Sequence, residues 1–135
     1  MRIPCIYCIV TDMYGTGEIT TLFLPLRTFF LMSDRIEKIK TFLRDNPADC
    51  FLNHALALEY IKLGDDISAR KYFELNLGND PAYVATYYHL GKLLERAGEE
   101  KNAIDIYEKG MQKAKAVNDM HSYSELQAAH DDIAY

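Results

Sequence analysis

Cys5 and Cys8 form the residue pair whose spacing most directly suggests chemistry, because C-x-x-C occurs in redox dithiols and in half of many zinc sites. A zinc site needs a second ligand pair, and none follows at a suitable spacing. A thioredoxin-like site needs a helix after the motif, whereas residues 9–11 are Ile-Val-Thr and favour an extended chain. We therefore interpret both cysteines as free thiols and predict no metal and no cofactor.

The remaining reactive residue types are not arranged for catalysis. The four histidines show neither an H-E-x-x-H motif nor a pair spaced four residues apart, so the sequence encodes no local helical metal site. Gly15-Thr16-Gly17 lacks the Lys and Ser/Thr of a phosphate-binding loop and the third glycine of a dinucleotide site. No G-x-S-x-G elbow is present. We predict a protein that is not an enzyme and has no catalytic residues.

Composition excludes further classes of partner. Fifteen Lys and Arg against twenty Asp and Glu give a net charge of −5 with no polybasic block, which argues against nucleic acid. The longest apolar stretch, residues 21–32, contains Pro25 and Arg27 and is shorter than the roughly 20 residues of a membrane span. Three cysteines, an odd number, and no clear export signal favour a reducing compartment. We predict a cytoplasmic protein that contacts neither nucleic acid nor membrane.

Residues 33–135 contain an internal repeat with an offset of 34 residues. Each unit reads as two helices, because a capping residue and a proline precede the first, helix A, and a glycine followed by two acids separates it from helix B. We predict that helix A begins at Pro47 and Pro81, and that the last B helix continues toward Val117. The identities are Pro47 with Pro81, Ala48 with Ala82, Leu56 with Leu90, Gly64 with Gly98, Ala69 with Ala103 and Glu74 with Glu108.

Apolar residues recur at three- and four-residue steps in all four of these predicted helices, so each presents one apolar face to a core. The predicted stripes are Phe51, Leu52, Ala55, Leu56 and Tyr60; Ile67, Ala69, Tyr72, Phe73 and Leu77; Val84, Tyr87, Leu90, Leu94 and Ala97; and Ala103, Ile104, Tyr107, Met111 and Ala114.

This period and this order of helices and turns resemble those of the tetratricopeptide repeat family. The positions that the family fills with Leu, Gly or Ala, Ala, and Phe or Tyr are Leu56, Ala57, Ala69 and Phe73 in the first unit and Leu90, Gly91, Ala103 and Tyr107 in the second. The sequence departs from the family pattern at Asn53, where Trp is preferred, and at Asn76, where a small residue is expected. The resemblance implies an all-α superhelical array of helix-turn-helix units.

Two units alone would leave apolar end faces, so flanking helices should cover them. Ser33 is predicted to cap a helix with the stripe Ile36, Ile39, Phe42 and Leu43, and Ser122-x-x-Glu125 offers a capping box for a last helix. About six helices result. The predicted division is an N-terminal extension at 1–31, a flanking helix at 32–46, repeats at 47–80 and 81–117, and a capping helix at 118–135.

Residues 1–31 differ from the rest because they carry only four of the 35 charged residues and are rich in β-branched and aromatic types. Residues 3–10 and 19–24 could form a hairpin, although two strands alone are only marginally stable. Met32 would also make a natural start before the predicted Ser33 cap. Our hypothesis is that the extension is disordered or lies upstream of the native start, and the alternative is that it belongs to the native protein.

The resemblance also implies a binding surface, because family members turn one face of their A helices toward a concave groove. The function it implies is a protein–protein adaptor or scaffold that binds a peptide or helix there, and the alternative is a homo-oligomerisation module such as a homodimer. Groove aromatics with cations nearby would suit a partner that carries an acidic group. His54 and Leu58 replace the Lys and Asn of the carboxylate clamp found in some members. The predicted groove residues are Phe51, His54, Leu58, Lys62, Tyr88, His89, Lys92 and Arg96.

Overall fold

The protein forms a row of antiparallel helices. The computed structural model describes the backbone of residues 23–134 and the side chains of residues 34–134. Within these residues there are six helices and no strand, which confirms the predicted all-α array. Each helix packs against the next one in the sequence, as in a solenoid of helix pairs. The helices are α1 (Phe23–Asp45), α2 (Cys50–Leu63), α3 (Asp66–Asn79), α4 (Ala85–Arg96), α5 (Glu100–Ala116) and α6 (Met120–Ala134).

Helix α1 is longer than the sequence predicted. It begins at Phe23, ten residues before Ser33, so the prediction that Ser33 caps this helix is wrong. Pro25 lies in the first turn, where its missing N–H costs no intrahelical hydrogen bond. The helix runs without a break across the boundary predicted between residues 31 and 32. Residues 23 and 24, the end of the second predicted strand, are helical instead, and the rest of the predicted hairpin and extension, residues 1–22, lies outside the described residues.

The A helices start after the prolines rather than at them. Asp49 caps α2 by accepting a hydrogen bond from the Leu52 N–H at 2.9 Å, so Pro47 lies in the preceding turn. In the second unit the Asp80 carboxylate accepts from the Ala82 N–H at 2.9 Å and closes a turn around the next proline. Because these turns come first, the predicted helix starts at Pro47 and Pro81 are early by three and four residues.

The predicted helix ends are confirmed. Gly64 and Gly98 adopt φ values of 77° and 78°, the left-handed conformation that glycine reaches at low cost. Helix α5 continues to Ala116 and Val117 caps it, as predicted. The sharp A-to-B turns therefore follow directly from the sequence.

The small residues lie where helix backbones approach each other. Ala57, Ala69 and Ala103 are fully buried, and Gly91 is buried beneath the Tyr107 ring. A Cβ added to Gly91 would overlap atoms of that ring. The core is built around these contacts; its remaining buried apolar members are Ile36, Leu56, Phe73, Val84, Tyr87, Leu90, Leu93, Leu94, Tyr107, Ala114, Leu126 and Ala129.

Several residues of the predicted apolar stripes are exposed instead. Phe51 is 69% exposed, Ile67 is 86% exposed and Ala97 is also exposed. Helix α2 packs against α1 on one side and α3 on the other, so its buried face includes the polar residues Asn53 and Glu59. A pattern counted from apolar residues alone therefore gave this helix the wrong rotational phase.

The flanking helices cover the ends of the array with fewer apolar contacts than predicted. Of the α1 stripe only Ile36 is fully buried, and Phe42 is 63% exposed. In α6 the buried residues are Leu126 and Ala129. Asp119 performs the capping role assigned to Ser122, since its carboxylate accepts the Ser122 N–H at 3.1 Å, so the predicted capping box is wrong.

Candidate partner-binding surface

His54, predicted to be exposed in the groove, is buried and only 8% accessible. Its ring packs 5.5 Å from the Phe73 ring and 5.3 Å from those of Tyr83 and His89, between centroids. The expectation of an exposed imidazole is therefore wrong, because side chains of α3 and of the segment from 83 to 89 close over it. His54 joins the two repeats instead of facing a partner.

A buried polar link holds α2, α3 and α4 together. Asn76 Nδ2 donates to Thr86 Oγ1 at 2.8 Å, and Thr86 Oγ1 lies 3.0 Å from His54 Nδ1. Thr86 Oγ1 therefore bridges the Asn76 amide and the His54 imidazole. Asn76 Oδ1 has no hydrogen-bond partner among the described residues, although Asn76 is fully buried. The three side chains connect residues up to 32 positions apart in the sequence.

Both histidines of this cluster are held neutral at pH 7. Burial and, to a smaller extent, the neighbouring His89 ring lower the pKa of His54 to about 4. Burial also lowers the pKa of His89, although the Glu125 carboxylate partly opposes that shift. The centre of the surface is therefore aromatic and uncharged.

Tyr88 and His89 lie beside α6. Their rings meet edge to face at 5.5 Å, and both side chains are half-buried. Helix α6 packs against α4 here and leaves a cavity of about 80 Å³. The cavity is lined by Val84, Ala85, Tyr88, His89, Ser122, Glu125 and Leu126.

The cations predicted for this surface are paired within the protein. Lys62 Nζ lies 2.9 Å from Glu59 Oε1, and Lys92 Nζ lies 3.1 Å from Glu95 Oε1. Arg96 Nε donates to Asp66 at 3.0 Å, in the first turn of α3. Each positive charge is therefore already matched by a carboxylate.

Glu59 is the most buried of these carboxylates, with its side chain only 4% exposed. Besides Lys62 it meets Arg35 Nε of α1 at 3.3 Å. A buried carboxylate with two cationic partners ties α1 to α2 electrostatically, and removal of either partner would leave it underpaired. Lys62 therefore has a structural role as well as a partly exposed position.

The structure assembles only part of the predicted site. Tyr88 and His89 lie together beside α6, whereas Phe51 and Lys62 stand at opposite ends of α2. Leu58 is half-buried and packs against the core. We define the A-helix surface as the predicted groove residues that retain exposure, namely Phe51, Leu58, Lys62, Tyr88, His89, Lys92 and Arg96.

No metal centre or membrane span emerges from the geometry. Among residues 23–134, no group of three or more His, Cys, Asp or Glu side chains could hold a metal ion. In the same part of the chain, no helix combines the length and apolar character needed to cross a bilayer.

Comparison with known proteins agrees with this arrangement. A family model of the tetratricopeptide repeat matches residues 52–83 and 84–112, which contain α2–α3 and α4 with most of α5. The crystal structure of a tetratricopeptide repeat domain protein from Salinibacter ruber is 41% identical, with a TM-score of 0.62, over 64% of this chain and 96% of that one. The chain belongs to the tetratricopeptide repeat family.

Further solved structures share the fold. A solution structure of the Salinibacter ruber tetratricopeptide repeat domain protein is 41% identical over 65% of this chain and 89% of that one, with a TM-score of 0.63. The TPR2B domain of yeast Sti1, solved as a complex with pHsp70, has a TM-score of 0.70 over 80% of this chain and 89% of its own. Its identity is 18%, so it shows the fold alone. No curated protein matches the sequence.

Sequence reasoning missed several residues that shape this surface. Tyr83 and Thr86 lie in or before α4 and contact His54, yet neither belongs to a repeated motif. Glu125 reaches the cavity from α6, 36 positions beyond His89. The one available signal was Asn76, a polar residue where the repeat family expects a small one.

Proposed function

We propose that this protein is a non-enzymatic adaptor that binds a peptide or helix of another protein on its A-helix surface. Tetratricopeptide repeats generally mediate protein–protein interaction, and their members are generally not enzymes. The observation that carries the proposal is the set of aromatic side chains that reach this surface: Phe51 is 69% exposed, and Tyr88 and His89 are half-buried. Aromatic groups of this kind are enriched among residues that dominate binding energy.

The mode of binding proposed here differs from a carboxylate clamp. His54 is buried and Leu58 is apolar at the positions where clamp-bearing family members carry Lys and Asn. Lys62, Lys92 and Arg96 are already paired with carboxylates. Contact with a peptide would therefore rest on apolar and aromatic burial. A cytoplasmic partner is part of the proposal.

An affinity capture experiment with the full chain tests the proposal. The double variant Phe51→Glu plus Tyr88→Glu should lose a partner that the parent retains from lysate of the source organism, because two charges would enter the apolar contact. His54→Glu is unsuitable, since it would bury a carboxylate and unfold the domain.

The control is Ile67→Glu, which adds a single charge at a position that is 86% exposed on the B helix α3, outside the A helices. Circular dichroism should show that all variants keep their helix content. The adaptor function is supported if the control retains the partner and the double variant loses it. It is overturned if the double variant recovers the same proteins as the parent.

Self-association is the second candidate function, and the exposed Phe42 of α1 favours it. This ring is 63% exposed on a helix that packs against α2. Light scattering of the full chain should give a dimer mass that Phe42→Glu converts to a monomer mass. A monomer mass for the parent at all concentrations would exclude this candidate.

A further inference from the structure

We propose that the cavity between α4 and α6 receives the cationic head of a lysine or arginine side chain from the bound peptide. This inference rests on the proposed adaptor function and adds the chemistry of the partner. Glu125 is the one charged residue among the seven that line the cavity. Tyr88 supplies an aromatic ring in the same wall. A carboxylate beside an aromatic ring matches an ammonium or guanidinium group through a charge-assisted hydrogen bond and a cation–π contact.

The Glu125 carboxylate has no strong competing partner in the described part of the chain. Its contact is His121 Nε2 at 3.5 Å, from a ring whose side chain is 85% exposed. The His89 ring beside the cavity is neutral at pH 7, because burial lowers its pKa. A cation that enters from a partner would therefore meet a negative charge without having to displace a lysine or arginine.

The charges around the cavity disfavour an acidic group of the partner. Lys92, one turn along α4 from Tyr88, contacts the Glu95 carboxylate of this chain. An acidic partner group in the cavity would lie next to the Glu125 carboxylate, which would repel it. The net charge of −5 acts in the same direction over longer distances. This reverses the sequence-based expectation of an acidic partner.

The size of the cavity limits what it can hold. A volume of about 80 Å³ accommodates the end of one side chain and is far below the 300–1,000 Å³ of a typical small-molecule site. The rest of a bound peptide would lie on the surface outside it. The chain itself already uses this kind of contact, since Lys115 Nζ lies 4.6 Å from the centre of the Tyr123 ring on α6.

The test is a nuclear magnetic resonance titration of the isotope-labelled full chain. The probes are Nα-acetyl-lysine methylamide and Nα-acetyl-arginine methylamide, with the norleucine and glutamate analogues as controls. We expect the cationic probes to shift the amide signals of Tyr88, His89, Ser122 and Glu125 in a saturable way. Glu125→Gln should weaken this binding about tenfold, because the charge-assisted bond is lost.

Glu108→Gln is the matched control, since it also removes one carboxylate, from the exposed side of α5. It should leave the lysine titration unchanged. Tyr88→Leu should weaken binding of the cationic probes severalfold by removing the ring. The inference is overturned if norleucine or glutamate produces the same shifts, if the cationic probes produce none, or if Glu125→Gln binds lysine as well as the parent does.

The capture experiment separates this inference from the adaptor function. A partner that is lost with Phe51→Glu plus Tyr88→Glu but kept with Glu125→Gln would leave the adaptor function standing and overturn the cation pocket. Partners that persist in every variant would overturn the adaptor function, while the titration would still report on the pocket alone. Loss of a partner with Glu125→Gln and retention with Glu108→Gln supports both.

Discussion

The first repeat, α2–α3, and the second, α4–α5, share one topology but close it with different side chains. Asn53 and Tyr87 occupy equivalent positions, and each donates at 2.9 Å to the carbonyl of the proline six residues earlier, Pro47 or Pro81. An amide and a phenol therefore form the same closing hydrogen bond. Tryptophan, preferred there in the family, is also a donor. Both repeats therefore place a hydrogen-bond donor at this position.

The two repeats fill their interiors with side chains of different sizes. Ala57 and Phe73 in the first correspond to Gly91 and Tyr107 in the second, and all four are buried. Tyr107 lies directly over Gly91 and donates its hydroxyl proton to Glu95, whereas Phe73 has no hydroxyl. A smaller residue on helix A thus accompanies an anchored ring on helix B.

At two positions the first repeat buries a polar residue where the second buries Leu or Gly. Glu59 corresponds to Leu93, and Asn76 corresponds to Gly110. His54 adds an imidazole that must stay neutral. We therefore expect the stability of the first repeat to depend on pH and on the pairing of its buried polar groups. The stability of the second repeat should depend on the space available to the Tyr107 ring. Four measurements of stability test this difference between the repeats.

Loss of the Phe73 ring should have the largest effect. Phe73→Ala removes a fully buried side chain from the junction of both repeats, and we expect about 4 kcal/mol less free energy of unfolding in urea. Ile67→Ala, in the same helix at an 86% exposed position, should change it by less than about 0.5 kcal/mol. Equal losses for the two variants would contradict the observed phase of α3.

Lowering the pH should have the second-largest effect on the free energy of unfolding, through His54 of the first repeat. The pKa of His54 is lowered from 6.5 to about 4, so the unfolded chain binds its proton first and stability falls as pH drops below 6.5. The free energy of unfolding should fall by up to about 1.4 kcal/mol per pH unit until about pH 4, roughly 3 kcal/mol in total.

Urea titrations between pH 7 and pH 4 measure this loss, with His54→Gln as the comparison. Asp65 and Asp119 have lowered pKa values, so their contributions to stability are lost mainly below pH 4. The change in stability between pH 6.5 and pH 4.5 therefore reports on histidine. The variant should show a shallower slope between pH 6.5 and pH 4.5. An unchanged slope would show that His54 is not the titrating group.

A single methyl group should disturb the second repeat. Gly91→Ala places a Cβ against the Tyr107 ring, and we expect a net loss of about 2 kcal/mol despite the better helix propensity of alanine. Ala57→Gly, the mirror change in the first repeat, should cost about 1 kcal/mol through helix propensity. Stabilisation by Gly91→Ala would mean that the ring can move aside.

The closing hydrogen bond should have the smallest effect. Tyr87→Phe removes the hydroxyl that reaches the Pro81 carbonyl, and thermal or urea unfolding should show a loss of about 1 kcal/mol. Asn53→Ala should cost more, because this amide bonds two carbonyls, those of Pro47 and Asp49, and is buried. A larger loss for Tyr87→Phe than for Asn53→Ala would contradict their assigned roles.

The fold could be predicted because its signals are local and repeated. Gly64 and Gly98 mark left-handed helix ends, and Ala69 and Ala103 mark close helix contacts, wherever the chain happens to lie in space. Helix starts were less predictable. Asp49, two residues after Pro47, caps α2, and Asp119 rather than Ser122 accepts the capping hydrogen bond of α6. The site was predicted only in part, with Tyr88 and His89 placed together but His54 placed on the wrong side of the surface.

The sequence by itself determined the 34-residue period, the all-α helix order and the glycine-ended turns, because these follow from backbone conformation and short-range spacing. Only the tertiary structure decided that His54 is buried against Thr86 and that Glu125 meets Tyr88 at one cavity. The physical reason is that burial and charge pairing depend on side chains from different helices, 32 and 37 positions apart, and no local pattern records which of them will meet.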